Sequence, residues 1–414
     1  MTAELIHNPS LEKMPKSADV VIIGGGPAGT AAAWGLEQQQ PGIKTVLVEQ
    51  EEDLGRGASM ASLENFRTCW PWPHESLIEM MDLSFKVFTH PDDYLGIGAS
   101  QALNIKQHGY LYVAFNEQQA KGLQKDVVNL NQQGLNHIEY LNQTEVAYRY
   151  PFLGDCVVAA KFDSHAGWLN SNNLIRRYAK ASGKAKFLTG VTDSQILVRG
   201  EKIVGVKTAN GVINTEKVII AAGAGSRQVG RTAGIEIPII VTPKESFITS
   251  FRDKFLPENA PFIIGPNPYP YVRPESFGAI FGWSYKRNSM IDPVWPVEKM
   301  KDSRFPPVVL DLLARQFKQK NDGFSDLRYR KGLKHQAGYF VTREYSSSEN
   351  NSLNHESEYA IIDAWPEIQG LFLSVAHGGY GIMTSPASGM IIASIVLGQK
   401  IKSIFTKFNL SIHN

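Results

Sequence analysis

The stretch ADVVIIGGGPAGTAAAWGLEQQQPGIKTVLVEQ, Ala18 to Gln50, reads as strand, glycine turn, alanine-rich helix, Pro-Gly turn and second strand, a βαβ unit. Gly24, Gly26 and Gly29 form GxGxxG at the end of the first strand, and Pro27 and Ala28 open the helix. These glycines permit a tight turn, let the backbone approach a pyrophosphate and allow close packing of strand on helix. The helix N-terminus then offers unpaired N–H groups to the anion. Glu49 ends the second strand, with Gln50 beside it, where an acid accepts hydrogen bonds from the ribose hydroxyls of an adenine nucleotide. A plain glycine-rich turn with a surface glutamate is the bland alternative, and the strand–turn–helix context weighs against it.

With 414 residues the chain can bury a sizeable core, and two domains are expected, one of them built from separated segments. A formal net charge of +2 is nearly balanced and does not point to nucleic acid. The two cysteines, Cys69 and Cys156, have no spacing that suggests zinc or a disulfide framework. Both are expected to be reduced thiols in a cytoplasmic protein, and no metal site is expected. The polar N-terminus, interrupted by Pro9 and Pro15, reads as a loose leader without a secretory core. No run reaches the roughly 18 to 20 apolar residues that span a bilayer.

Further along, KFLTGVTDSQILV, EKIVGVKTA and GVINTEKVIIAAGAGS resume the β pattern, and the last ends in small residues again. The runs IPIIVTPKESFITSF, PFIIGPNPYPYVRPES and FGAIFGWSYK are rich in aromatics and prolines, as an antiparallel sheet would be. Near the end, AHGGYGIMTSPASGMIIASIVLG, from Ala376, sets glycines between an apolar strand and a helix. The expected fold is α/β: a Rossmann-like nucleotide-binding domain over 1–90, 155–238 and 358–414, interleaved with an α+β substrate domain over 91–154 and 239–343. The polar piece 344–358 reads as a mobile loop.

The GxGxxG turn, the small-residue stretch at Val218–Ser226 and the glycine loop after Ala376 resemble, in that order, the D-amino-acid oxidase-like flavoprotein superfamily. Its members include glycine oxidase, sarcosine oxidase and dimethylglycine dehydrogenase. The resemblance covers Asp19 to about Gly398 and implies FAD. It assigns cofactor contacts to Gly24, Gly26, Pro27, Ala28, Gly29, Glu49, Gln50, Ala58, Ser59, Val191, Ala222 and Gly223. From the C-terminal loop it adds Gly378, Gly379, Tyr380, Gly381, Ile382 and Met383, the glycines letting backbone run against the ring system. Ser385 and Pro386 suit the cap and first turn of the following helix.

The same resemblance places Arg67 where a substrate carboxylate is held. A planar guanidinium suits that work because it pairs bidentately with a carboxylate. The catalytic candidates are Arg67, Tyr271 and His377. His377 reads better as a support of the loop than as a base, since hydride transfer from an amine needs only a neutral amine. Substrate contacts are expected from Arg67, Trp70, Tyr110, Tyr271, Trp283 and Tyr380, although aromatics in such a sheet pack as readily as they bind. Arg273 is a second-rank anion contact. Met60 and Ala61 stand where relatives carry a flavin-linking histidine, and Ala337 near a linking cysteine, so the FAD is expected to be non-covalent. Ile280 replaces an oxygen-activating lysine, for which Lys244 or Lys286 are the substitutes.

The activity implied is removal of a hydride from the C–N bond of an amino acid or N-alkyl amino acid, with hydrolysis of the imine. Its partners are a small-molecule carboxylate and, as acceptor, oxygen or a redox partner. Two alternatives stay open. One is a 2-hydroxy-acid dehydrogenase, which needs a base such as His377 or His335. The other is a flavin-containing assembly or scaffold protein. The tail KIKSIFTKFNLSIHN, with Ile401, Phe405, Phe408 and Ile412 on one helical face, either packs on its own domain or touches a membrane surface or partner.

Overall fold

The computed structural model describes residues 3–69, 75–250, 256–316, 332–344 and 359–410. Trp70, the polar piece beyond Glu344, and Ile412 lie outside these described residues.

The opening βαβ unit forms as the sequence implies. Val20–Ile23 and Thr45–Val48 pair in parallel, Val20 opposite Thr45 through Ile23 opposite Val48, with the helix Pro27–Gln39 between them. Both strands are buried throughout, as continuous apolar runs require in a sheet covered on both faces. Among the described residues this sheet has seven strands, in the order Glu4–His7, Lys186–Thr189, Thr45–Val48, Val20–Ile23, Val218–Ile220, Leu371–Val375 and Ile361–Ala364. All neighbours are parallel except the last pair. The segment read as a loose leader is held over Glu4–His7, which adds an edge strand along Lys186–Thr189.

The helix Ser385–Val396 returns the end of the chain to its beginning. A Cβ at Gly389 would lie 2.3 Å from Ala31 O, and one at Gly35 2.3 Å from Gly389 O. Only paired glycines let these two helices touch backbone to backbone. The tail follows with a short 3-10 turn, Ser403–Phe408, instead of the amphipathic α-helix expected. Phe405 and Phe408 are buried in the same core as Trp34 and Tyr178, so this part of the tail packs on its own fold.

Among the described residues the second sheet has eight strands, ordered Leu333–Arg343, Ile239–Thr249, Gly278–Trp283, Pro270–Glu275, Phe262–Ile264, Tyr110–Ala114, Ala159–Asp163 and Ile138–Asn142. It is antiparallel except where Phe262–Ile264 meets Tyr110–Ala114. Two segments fall elsewhere than the expected boundaries put them. Ala159–Asp163, placed by sequence with the nucleotide-binding segments, pairs inside the antiparallel sheet. Conversely, Leu95, Ala99 and Leu103 bury themselves in the core beneath the parallel sheet. A smaller meander joins Gln195–Arg199, Lys202–Thr208 and Gly211–Asn214. No helix of the described residues is long and apolar enough to cross a membrane.

Candidate active site

Gly24 turns the chain at φ +115°, and a Cβ there would lie 2.4 Å from Ala221 O. The second small-residue stretch, Ala221 to Gly223, therefore sits directly against the first. At Gly29 a Cβ would stand 2.0 Å from Gly24 O, so strand and helix close upon each other. Gly26 differs: it caps the helix, and a Cβ built on it meets nothing within 4 Å. An open face at a helix N-terminus, ahead of Pro27 and Ala28, is the cradle a pyrophosphate needs.

Glu49 Oε2 accepts from Gly25 N at 2.5 Å and Oε1 from Glu51 N at 2.9 Å. Burial raises the pKa of this carboxyl, while the two N–H donors oppose the rise. A carboxylate has about four lone-pair sites, so two remain for ribose hydroxyls. Val191 N donates to Glu49 O at 2.9 Å, which sets Val191 beside the acid, while Gln50 is exposed. Ala58 and Ser59 start a 3-10 turn. Ser59 Oγ donates to Gly55 O at 2.8 Å, which fixes the turn.

The C-terminal loop lies across the other sheet. Gly378 N donates to Val341 O at 2.8 Å, and a Cβ on Gly379 would stand 2.8 Å from the Phe340 ring. Ala376 at φ +60° and Gly378 at φ +53° are both left-handed, a strained conformation for alanine. Thr384, not Ser385, holds the N-cap position, with no side-chain capping bond; its hydroxyl donates back to Tyr380 O at 2.9 Å. Ile382 and Met383 are buried in the helix-side core. Beside Gly381, the His377 ring lies 3.2 Å from Ser374 Oγ, and burial lowers its pKa to about 4 against its hydrogen bond to Ser374. A neutral imidazole so weakly basic suits loop support and makes a poor general base.

Arg67 follows the two-residue strand Asn65–Phe66. Its guanidinium donates to Tyr112 Oη at 3.0 Å and lies over the Tyr380 ring, 5.4 Å from the centroid. The structure thus joins Arg67 to the glycine loop. Strand alternation puts Tyr110 and Tyr112 on one face of the antiparallel sheet. Tyr110 meets Phe262 at 4.7 Å between centroids, and Phe262 meets Tyr271 at 5.4 Å. Tyr271 lies across Gly282, where a Cβ would be 2.3 Å from its hydroxyl. Burial pushes Tyr110, Tyr112 and Tyr271 above the usual phenol range, so all three keep their protons.

Three expectations fail on geometry. Trp283 follows Gly282, so it points to the opposite face, where it stacks on Tyr285 at 4.6 Å. Arg273 is wholly buried and donates to Leu63 O, Pro274 O and Glu275, so it is bound into the fold and is no anion contact. His335 pairs with Phe247 on that opposite face, its Nε2 2.7 Å from Glu245, and is no base for this site. Sequence reading also passed over Tyr112, although its spacing of two from Tyr110 was a usable signal.

The glycine turn, the open cap and the C-terminal loop fit a dinucleotide with an appended ring system. Residues 19–395 match the family described as FAD dependent oxidoreductase, DAO, and the chain belongs to it. It is an FAD-dependent oxidoreductase. Among its relatives is the FAD-dependent oxidoreductase domain-containing protein 1 of Xenopus laevis, 23% identical over 433 residues, covering 96% of this chain and 82% of that protein. Two solved structures share the fold. An L-amino acid deaminase from Proteus vulgaris has a TM-score of 0.77 at 17% identity, covering 99% of both chains. An L-proline dehydrogenase from P. horikoshii has a TM-score of 0.75 at 21% identity, covering 96% of this chain and 97% of that one.

Proposed function

We propose that this protein oxidises the C–N bond of an amino acid or N-alkyl amino acid. The observation that carries the reading is Arg67, a permanent cation whose guanidinium is shared between Tyr112 and Tyr380 of the C-terminal glycine loop. A carboxylate bound there sets its α-carbon close to that loop. Gly24, Gly26, Gly29 and Glu49 hold the adenosine and pyrophosphate portion of FAD, and Gly378 to Met383 hold the ring. When bound, FAD supplies a two-electron acceptor for hydride. The chain's own residues bind and orient: Arg67 takes the carboxylate, and the Tyr110, Phe262 and Tyr271 rings exclude water. His377 stays neutral and gives no proton to the substrate, which reacts as its free amine after the ammonium proton has passed to solvent. Water then hydrolyses the imine to a carbonyl compound and the amine.

The names of the two structural relatives, an amino acid deaminase and a proline dehydrogenase, are consistent with this class. Oxidation of a 2-hydroxy acid has less support, because it needs a base and neither His377 nor His335 serves. The FAD is non-covalent in this reading. Met60 and Ala61 are no linking nucleophiles, and Ala337 belongs to the sheet face away from the Ala58–Ala61 turn, which packs on Gly338 instead. Ile280 brings no charge to the Tyr271 face, but Lys244 stands on that face, its Nζ donating to Tyr285 O at 3.0 Å, while Lys286 is exposed. Oxygen and a redox partner both stay within this reading as acceptors.

The test is the flavin absorption band of the holoenzyme, followed without oxygen as amino acids, N-methyl amino acids and 2-hydroxy acids are added in turn. Bleaching by an amino or N-methyl amino acid is expected. Bleaching by hydroxy acids alone overturns the reading.

A further inference from the structure

We propose that Asp163 is the positioning residue for Arg67, acting through Thr68 and completed by His137. This rests on the reading of Arg67 as the carboxylate contact. Asp163 is wholly buried, at 0% exposure, and pairs with Tyr110 across the sheet. Its Oδ2 accepts from Thr68 N at 3.1 Å and from Thr68 Oγ1 at 2.9 Å, while Oδ1 accepts from His165 N at 3.1 Å. Thr68 Oγ1 also lies 2.6 Å from His137 Nε2. Its own proton goes to Asp163, so the imidazole N–H donates to it. The His137 ring is held flat on His165, 3.8 Å between centroids and 6° between planes.

A carboxylate taken wholly out of water is costly unless donors surround it, and this one gathers donors on both oxygens. Its main client is the residue next to Arg67. Ladder pairing of the two-residue strand Asn65–Phe66 ends just before Arg67. Immediately beyond it, Asp163 grips the N–H and hydroxyl of Thr68. Lys161, two residues earlier and so on the same face, lies 4.6 Å from the centroid of Tyr112, the tyrosine that receives the guanidinium. One strand thus braces Arg67 from two sides: Asp163 holds the backbone of the next residue, Thr68, and Lys161 lies against its phenol partner.

The experiment uses the holoenzyme and acetate as a bare carboxylate probe, with Kd read from perturbation of the flavin band. Thr68→Val removes the hydroxyl and keeps the shape. It is expected to raise the acetate Kd about tenfold or more, as a small misplacement of a binding group does, with FAD content unchanged. Thr68→Ser is expected to restore binding, and Asp163→Asn to resemble Thr68→Val. In an Arg67→Ala background Thr68→Val should add nothing, because the group it positions is gone. Normal acetate binding by Thr68→Val, or effects that simply add in the double variant, overturns the proposal and leaves the Arg67 reading standing. If Arg67→Ala binds acetate like the parent, or the parent shows no perturbation, the Arg67 reading falls and the proposal with it.

Discussion

His377 shows how one half-buried side chain ties the C-terminal glycine loop to pH. Its pKa of about 4 lies below the ordinary 6.5 because burial disfavours the imidazolium. Between those values the unfolded chain binds a proton that the folded chain refuses. The stability it contributes is therefore complete above pH 6.5 and is lost as pH falls towards 4. A shift of that size is worth about 3 kcal/mol at full burial, and less here because the ring keeps some solvent contact. Thermal unfolding of the holoenzyme between pH 7 and pH 4.5 should show a steep loss that His377→Asn flattens; parallel curves for the two proteins count against the loop-support role. Residues of this kind were half legible. The histidine stood out because glycines surround it, and Arg67 because aromatic residues do. Tyr112, Lys161 and Asp163 did not, since what gives them meaning is contact across 45 to 95 positions of sequence.

At the scale of elements, local chemistry was legible and pairing was not. The βαβ unit declared itself through its glycines, whose separate duties the structure now distinguishes. Gly29→Ala forces a Cβ to within 2.0 Å of Gly24 O and should damage the fold itself. Gly26→Ala is different, because φ is −77° and the new methyl meets no protein atom within 4 Å. It should fold normally yet crowd the pyrophosphate by about 1–3 kcal/mol, weakening FAD about ten- to hundredfold. Circular dichroism with flavin titration separates the two, and a Gly26→Ala protein that binds FAD normally refutes the assigned cradle. By contrast, KFLTGVTDSQILV read as one β run and forms two strands in different sheets, broken where Gly190 takes φ +70°. Trp283 looked inward because it is aromatic. Its face is set by the pairing of Gly282 with Tyr271, a register no local pattern reveals.

At the scale of the whole molecule, the parallel sheet is assembled from three separated regions of the chain: strands within 4–48, within 186–220 and within 361–375. The helices Pro27–Gln39 and Ser385–Val396 then meet at Gly35 and Gly389, so the two ends of the sequence share one core. The proposed FAD contacts follow the same plan, with the Gly24–Gly29 turn near one end and the Gly378–Gly381 loop near the other. A ligand that bridges segments so distant binds only the assembled fold, and mass action then stabilises that fold in proportion to its occupancy. With free FAD at about a hundred times Kd, the gain is about 2.7 kcal/mol, or a few degrees in the unfolding midpoint. Because no linking side chain faces the ring in this reading, denaturant should release all the flavin into the filtrate, and FAD returned to the refolded apoprotein should restore the lost degrees. Flavin that stays with the precipitated chain contradicts the non-covalent reading. A midpoint indifferent to added FAD, in protein shown to bind it, contradicts the bridging of the two ends.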